Sequence, residues 1–350
     1  MKGVVFAAGF GRRLHPLTAT RPKHLLPIAG RPLLHRVLEA LKNAGVNEIG
    51  VTIGYMADQI MEMVESVGAV PIQQKLIAGT GQALKECRPF LEGEDIFYVV
   101  YGDITVPSTK LIGLREFMER GGFDGSLLAV HGVGGGKYGV VHVRDSLFEY
   151  VAEKSSESGL VNAGAYILPA QILDTVENLP RSPRGEYELT DALNILANKG
   201  AKIGVMTDVG DWWYDVGRPV DYLRANQHYI GVELDDDVMI GSDVWLGDRV
   251  SITGPVMLSH GVRIGDGCTL VGPLVVGAGS EVAPGSHLSN SVIMERVKIV
   301  ERCLLRNSIL SDETEILAEV IVEDGNIPAL VTSPGSKIHT RMTVSSSTII

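Results

Sequence analysis

The chain has 350 residues, of which 45% are apolar and 21% charged, and its formal net charge is −11. This length favours two domains, and the apolar share excludes an intrinsically disordered protein. The acidic balance argues against nucleic acid as a partner, and no apolar run approaches the roughly 20 residues that a membrane helix needs. The three cysteines have no paired spacing, which predicts neither disulfides nor a cysteine metal site and favours a cytoplasmic protein.

Short apolar runs alternate with amphipathic segments up to about residue 229. Three apolar runs predict buried strands, at residues 4–9, 48–54 and 97–103. Three amphipathic segments predict helices, at residues 32–45, 57–68 and 109–122. This order predicts an α/β domain over residues 1–229, with a mostly parallel sheet and helices on both faces. Ligands of such sheets bind at the carboxyl ends of the strands, where Gly9 and Asp103 lie.

From about residue 233 the apolar period changes to six residues. Ten successive positions of one phase are apolar, from Ile240 to Met294. A six-residue period with glycine turns is typical of a parallel β-helix made of hexapeptide repeats. We therefore predict a β-helix over residues 230–325, after a joining helix at residues 219–230. Residues 326–350 are polar and rich in turn formers, which predicts a loosely ordered C-terminal tail.

The first 38 residues form a basic stretch, with seven Lys or Arg and no Asp or Glu. A strand that enters Gly9-Phe10-Gly11 turns tightly and presents backbone N–H groups to phosphate oxygens. Arg12, Arg13 and Lys23 add positive charge beside that turn. The patterns GxGxxG and GxxxxGK[ST] are absent, so these residues alone fit an anion site and a basic surface loop equally well.

The stretch GFGRRLHPLTATRPKHLLP resembles the signature of the sugar-1-phosphate nucleotidylyltransferases. This family includes glucose-1-phosphate thymidylyltransferase and N-acetylglucosamine-1-phosphate uridyltransferase, and the likeness continues to about residue 229. It implies a Rossmann-like domain that joins a sugar 1-phosphate to UTP or dTTP, giving an NDP-sugar and pyrophosphate. A bifunctional uridyltransferase and glucosamine-1-phosphate acetyltransferase, or a mannose-1-phosphate guanylyltransferase, are the alternatives, and the sugar stays open.

The resemblance also implies roles for individual residues. Arg13 and Lys23 are the implied catalytic residues, and Asp103 and Asp215 are the implied ligands of Mg²⁺. The implied nucleotide-binding residues are Ala8, Gly9, Gly11, Gln74, Gly79, Thr80 and Gly102. The implied sugar-phosphate-binding residues are Gly139, Glu153, Lys154, Asn162 and Thr190. Arg12 departs from the family, which more often has a small hydroxyl residue at this position.

In bifunctional relatives a left-handed β-helix carries acetyl transfer and uses a histidine base. The corresponding segment here has Glu301 and Leu304 at the positions of the family's histidine and tyrosine. The resemblance therefore implies a left-handed β-helix without acetyl transfer. We expect this domain to assemble the protein into a homo-oligomer, with effector binding left open.

Overall fold

The structure, a computed structural model, describes residues 1–132, 138–153, 157–235, 237–322 and 327–350. The chain forms two compact units, one of residues 1–10 and 33–213 and one of residues 11–32 and 214–350. Within the described ranges, no helix is both long enough and apolar enough to cross a bilayer.

The elements predicted from the apolar pattern are all present. In chain order, the described residues up to Leu234 form β1 (Lys2–Phe6), β2 (Pro27–Ile28), β3 (Arg31–Pro32), α1 (Leu33–Asn43), β4 (Glu48–Ile53), α2 (Ala57–Ser66), β5 (Val70–Gln73), α3 (Thr80–Glu86), α4 (Arg88–Leu91), β6 (Ile96–Tyr101), α5 (Ser108–Gly121), β7 (Gly125–Gly132), β8 (Val140–Arg144), β9 (Leu147–Ala152), β10 (Gly159–Pro169), α6 (Gln171–Glu177), α7 (Leu189–Asn198), β11 (Ile203–Asp208) and α8 (Pro219–Leu234). The predicted strands correspond to β1, β4 and β6, and the predicted helices to α1, α2 and α5.

The first unit is built on a nine-stranded sheet with the order β5-β4-β1-β6-β10-β7-β11-β9-β8. Strands β5, β4, β1 and β6 are parallel neighbours. Their central residues, such as Val5 and Val99, are fully buried, as expected for parallel strands covered on both faces. The predicted Rossmann-like α/β fold is confirmed. Strand β10 runs antiparallel to β6 and β7, and the apolar pattern did not indicate this.

The second unit contains the predicted β-helix. Its strands are β12 (Val238–Ile240), β13 (Trp245–Leu246), β14 (Ser251–Thr253), β15 (Val256–Leu258), β16 (Arg263–Ile264), β17 (Thr269–Val271), β18 (Leu274–Val276), β19 (Glu281–Val282), β20 (His287–Ser289), β21 (Val292–Ile293), β22 (Lys298–Ile299), β23 (Leu304–Arg306), β24 (Ile309–Leu310), β25 (Glu315–Ile316), β26 (Val320–Val322), β27 (Leu330–Val331), β28 (Lys337–Ile338), β29 (Met342–Val344) and β30 (Thr348–Ile349). Every third strand joins the same sheet, giving three all-parallel sheets, which is consistent with the left-handed form.

The six-residue repeat of apolar positions loses one residue after Leu288. Leu258 pairs with Val276, but Val276 pairs with Ile293, so Met294 is not the core position that the period predicted. Val271 pairs with Ser289 and Val275 with Val292, so the chain is one residue shorter between the second pair members, where it turns at Asn290 with φ 50°. Asparagine tolerates this left-handed conformation, so the coil shortens without losing its pairing.

The last residues differ from the loose tail that their composition suggested. Strands β27 to β30 continue the sheets of the β-helix. The polar side chains enter the interior because they satisfy one another: Thr332 is fully buried, and its Oγ1 accepts a hydrogen bond from the Ser311 N–H (2.9 Å) and contacts Thr314 Oγ1 (2.8 Å). The domain limits at residues 229 and 325 remain predictions.

Leu288→Ala is expected to lower the free energy of unfolding by about 2–5 kcal/mol, because it opens a cavity in a closed core. Leu288 is fully buried in the apolar interior of the β-helix. Ile240 occupies the same repeat position in the first coil but is 52% exposed, so Ile240→Ala is the matched control, with an expected cost below about 1 kcal/mol. Urea unfolding followed by circular dichroism measures both, and equal costs would contradict the prediction.

Candidate active site

Two predicted nucleotide-binding residues, Ala8 and Gly102, follow β1 and β6 at the carboxyl edge of the parallel strands. The Gly102 N–H donates to the Phe6 carbonyl oxygen (3.0 Å), and the Tyr55 N–H donates to the Ala8 carbonyl oxygen (3.1 Å). A Cβ on Gly102 would stand 2.8 Å from the Phe6 carbonyl oxygen, so the close approach requires glycine. Asp103 comes directly after Gly102, at the edge where ligands of such sheets bind.

Gln74 lies just after β5 and is buried. Its backbone N–H donates to the Ile53 carbonyl oxygen (2.8 Å), and its side-chain Nε2 donates to the Leu76 carbonyl oxygen (3.0 Å). The backbone of Gln74 therefore attaches the loop to the end of β4, and its side chain holds the loop that follows β5. Recognition of the nucleobase by Gln74 remains a prediction.

The loop containing Gly79 and Thr80 is held against the segment before α7. The Gly81 N–H donates to the Tyr187 carbonyl oxygen (2.7 Å), and the Leu189 N–H donates to Thr80 Oγ1 (2.9 Å). Gly79 has φ 104°, and a Cβ there would stand 2.4 Å from the Tyr187 carbonyl oxygen. The predicted nucleotide-binding loop is thus shaped by residues more than 100 positions further along the chain.

Four of the five predicted sugar-phosphate-binding residues meet in one cluster. Thr190 Oγ1 donates to Glu153 Oε1 (2.7 Å), and the Asn162 N–H donates to the Gly139 carbonyl oxygen (3.0 Å). A Cβ on Gly139 would stand 3.0 Å from Glu153 Oε1, so the missing side chain leaves room for this carboxylate. Lys154, the fifth predicted residue, lies outside the described residues.

Two tyrosines extend this cluster beneath Asn162. Asn162 Nδ2 donates to the Tyr166 hydroxyl (2.6 Å), which donates to the Tyr101 hydroxyl (3.1 Å). Burial raises the pKa of both phenols well above its ordinary value, so both stay neutral. The sequence analysis did not select Tyr166, because its position inside a buried strand gave no sign of a polar network.

Arg184 forms ion pairs with two carboxylates of the cluster, and the sequence analysis did not select it. Its Nη2 donates to Glu188 Oε1 (2.6 Å) and lies 3.5 Å from Glu153 Oε2. Burial raises the pKa of the Glu188 carboxyl, and the charge of Arg184 opposes that rise. The four-residue spacing of Arg184 and Glu188 was the available signal, whereas the partner Glu153 is distant in sequence.

The glycine bend leads from β1 into a short 3₁₀ turn, Arg12–Leu14. Gly9 begins the bend and Gly11 ends it with φ 65°, a left-handed conformation that favours glycine. The Gly11 carbonyl oxygen accepts hydrogen bonds from the Leu14 N–H (3.0 Å) and from Thr18 Oγ1 (3.1 Å). A Cβ on Gly11 would stand 3.1 Å from the Cβ of Lys23, so the first part of the Lys23 side chain lies against the bend.

Arg13 and Asp215 also come together in the second unit. A Cβ on Gly217 would stand 3.0 Å from Arg13 Nη2 and 3.6 Å from Asp215 Oδ1. Glycine at position 217 therefore leaves the space that the guanidinium uses beside this carboxylate. Arg13 is exposed and Asp215 half-buried.

The donor set at the two predicted metal ligands fits Mg²⁺. Asp103 and Asp215 are both half-buried and offer carboxylate oxygens, the ligands that this hard cation prefers. Within the described part of the chain, no group of three or more His, Cys, Asp or Glu residues forms a closed metal site. Mg²⁺ is commonly held by only one or two carboxylates together with substrate phosphates, so each of these residues has the chemistry of a magnesium ligand.

Gly79→Ala is expected to destabilise the protein by about 1–3 kcal/mol more than Gly45→Ala, because a backbone carbonyl must move to admit the methyl group. Both glycines have positive φ, 104° and 82°, but nothing lies within 4 Å of a Cβ at Gly45. Gly45→Ala therefore introduces the backbone strain of a positive φ but no steric clash with the Tyr187 carbonyl. Urea unfolding of the two variants measures the difference, and equal losses would contradict the role of the Tyr187 carbonyl.

A parallel α/β sheet with a glycine bend after its first strand is typical of nucleotide-binding domains. In this chain a β-helix follows that domain. The chain belongs to the nucleotidyl transferase family, which residues 2–231 match. Residues 252–350 match a second family, described as the GMPPB C-terminal domain. The resemblance predicted from the signature is confirmed.

Relatives of known name agree with the family. The bifunctional protein GlmU of Methanococcus maripaludis is 32% identical over 233 residues, which cover 66% of this chain and 54% of that protein. Glucose-1-phosphate thymidylyltransferase of Streptomyces griseus is 33% identical over 239 residues, 65% of each chain. The chain thus spans 54–65% of the length of these curated relatives. The structure of a UDP-glucose pyrophosphorylase from Acinetobacter baumanii shares the fold, with a TM-score of 0.58 and 22% identity over 66% of this chain and 94% of that one.

Proposed function

We propose that the protein transfers a nucleotidyl group from UTP or dTTP to a sugar 1-phosphate, giving an NDP-sugar and pyrophosphate. The observation that carries this proposal is the left-handed bend at Gly11, with Lys23 against it, and the position of Arg13 and Asp215 beside Gly217. The names of the matched relatives, glucose-1-phosphate thymidylyltransferase and GlmU, support the same reaction class.

The proposed chemistry explains why cations surround a glycine bend in an acidic protein. The phosphate of a sugar 1-phosphate is already an anion, so its attack on the α-phosphate requires no general base. The barrier comes from repulsion between two anions and from charge that develops on the transferring phosphoryl group. In our proposal Arg13 donates two hydrogen bonds to the triphosphate, while Lys23 places a positive charge beside the α-phosphate.

We further propose that Asp103 and Asp215 hold Mg²⁺. When bound, this ion neutralises phosphate charge and orients the leaving pyrophosphate. Each carboxylate would offer the oxygen ligands that Mg²⁺ prefers, with water and the phosphates as further ligands. Arg13 and Asp215 both lie beside Gly217, so the proposed triphosphate and metal ligands flank the same glycine.

The cluster of Glu153, Thr190 and Asn162 is our proposed sugar site. The Glu153 carboxylate accepts hydrogen bonds, which suits the hydroxyl groups of a hexose, and Gly139 keeps one face of it open. Lys154 is proposed to bind the sugar phosphate. The identity of the sugar stays open.

We propose that the enzyme is cytoplasmic and forms a homo-oligomer through the β-helix. All three cysteines are buried and outside any disulfide, as expected in a reducing compartment. The first coil exposes apolar side chains, among them Met239, Ile240 and Trp245, which a second copy would cover. Light scattering that returned the 37.6 kDa mass of one chain would contradict the oligomer.

The deciding experiment offers UTP, dTTP, GTP, CTP and ATP against several sugar 1-phosphates, mannose 1-phosphate included, and measures pyrophosphate release. We expect the highest kcat/KM with UTP or dTTP, and loss of turnover when EDTA removes the metal. A separate arm with acetyl-CoA and glucosamine 1-phosphate tests acetyl transfer, for which we expect no product. Preference for GTP with mannose 1-phosphate would replace the proposed donor, and no turnover with any pair would refute the function.

A further inference from the structure

The β-helix contacts the signature loop through a partly buried ion pair. Arg21 Nη2 donates to Asp312 Oδ2, and the two side chains are 22% and 9% exposed. The other carboxylate oxygen, Asp312 Oδ1, accepts from the Glu295 N–H (3.1 Å). Both oxygens are thus engaged, and breaking such a shielded pair leaves a buried charge without compensation.

Asp312 stands on a well-fixed part of the β-helix. Its neighbour Ser311 is fully buried, and Ser311 Oγ donates to the Thr332 carbonyl oxygen (2.6 Å). Thr314 Oγ1 donates back to the Ser311 carbonyl oxygen (2.8 Å). Burial raises the pKa of the Asp312 carboxyl, and the charge of Arg21 opposes that rise. The carboxylate therefore has a fixed position from which to hold Arg21.

The path from Arg21 to Lys23 is short and stiff. Pro22, with φ −67°, separates the two residues and restricts the backbone on both sides. Lys23 then begins the 3₁₀ turn Lys23–Leu25, and its Cβ lies against the glycine bend at Gly11. A shift of Arg21 is consequently passed to Lys23, since the intervening proline cannot absorb it by rotating about φ.

The later part of the same loop is held by uncharged contacts. The Tyr222 hydroxyl of α8 donates to the Pro27 carbonyl oxygen (2.9 Å), and the Ala29 N–H donates to Asn226 Oδ1 (3.0 Å). These contacts fix residues 27–29, four or more positions beyond Lys23. The ion pair with Asp312 anchors the loop on the other side of Lys23.

We propose that Asp312 of the β-helix is a positioning residue: through Arg21 it holds Lys23 at the glycine bend. The β-helix thereby contributes to the reaction of the catalytic loop without touching substrate. The kinetic part of this inference rests on the proposed function, whereas the structural part does not.

The test compares full-length wild type with Asp312→Asn, Arg21→Gln and the charge-retaining Arg21→Lys. Hydrogen exchange without substrate is expected to accelerate about tenfold over residues 12–26 in Asp312→Asn and Arg21→Gln, and much less in Arg21→Lys. With the active nucleotide and sugar phosphate, kcat is expected to fall about ten- to a hundredfold in the first two variants and to recover largely in Arg21→Lys. Glu313→Gln is the matched control, because Glu313 adjoins Asp312 but pairs with Arg296 on the exposed surface (3.0 Å).

The outcomes separate this inference from the proposed function. Unchanged exchange over residues 12–26, or an unchanged kcat in a folded Asp312→Asn protein, overturns the inference even if the wild type is fully active. If the wild type turns over no substrate pair, the proposed function fails, and the exchange experiment alone decides whether Asp312 holds the loop. If Asp312→Asn does not fold, Arg21→Gln, which changes no residue of the β-helix itself, decides in its place.

Discussion

Lys23→Ala is expected to lower kcat for pyrophosphate release by roughly 10²–10³, with a melting temperature close to that of the wild type. The reason is electrostatic: a cation held in place beforehand offsets charge that develops on the α-phosphate, whereas water in its place must reorient at a cost in free energy. Lys23 is suited to this because the Cβ and Cγ of its side chain lie against the glycine bend. Steady-state kinetics with the active substrate pair measures the loss.

Arg12→Ser is the matched control for Lys23→Ala. Arg12 lies in the same loop and is exposed, and the proposed mechanism gives its charge no role in the reaction. We expect less than about a tenfold change in kcat/KM, consistent with a peripheral charge contact. A Lys23→Ala protein that kept the wild-type kcat, or an Arg12→Ser protein with the larger loss, would contradict the assignment.

Asp103→Asn and Asp215→Asn are expected to lower the rate by roughly 10²–10³ at fixed Mg²⁺ and to raise the Mg²⁺ concentration needed for half-maximal activity. An asparagine keeps the size of the side chain but removes the negative charge that attracts the ion. A titration with MgCl₂ at saturating substrates measures both effects.

Asp211→Asn serves as the control for the metal prediction, because Asp211 is exposed and lies four residues before Asp215 in the same segment. We expect it to leave the Mg²⁺ dependence unchanged. The titration also distinguishes two roles of Asp215. If Asp215 only orients Arg13, its replacement raises the KM for the nucleotide without shifting the Mg²⁺ requirement, and the proposed metal role is wrong.

Much of the fold could be predicted because its patterns are local. Buried parallel strands such as β1 and β6 give continuous apolar runs, and the coils of the β-helix repeat one apolar position every six residues. The slip after Leu288 shows where such a pattern ends: a corner that turns at Asn290 shortens the coil by one residue, and a fixed period cannot foresee it.

The candidate site was predictable where a backbone conformation demands one residue type. Gly11, with its positive φ, and Gly102, against the Phe6 carbonyl, are such positions. Arg184 and Tyr166 were not predicted, since what makes them part of the site is a partner such as Glu153 or Asn162. Contacts between residues that are distant in sequence produce no periodic pattern in the sequence.

By itself, the sequence determined the two architectures, the glycine bend with its cations and the family, because each depends on residues close together along the chain. Only the tertiary structure decided that Thr190 hydrogen-bonds to Glu153 and that the Tyr187 carbonyl requires glycine at position 79. It also decided that Arg21 pairs with Asp312, 291 residues further along the chain. Such contacts follow from how distant segments pack, and the free energy that selects them belongs to the folded chain rather than to any short stretch of it.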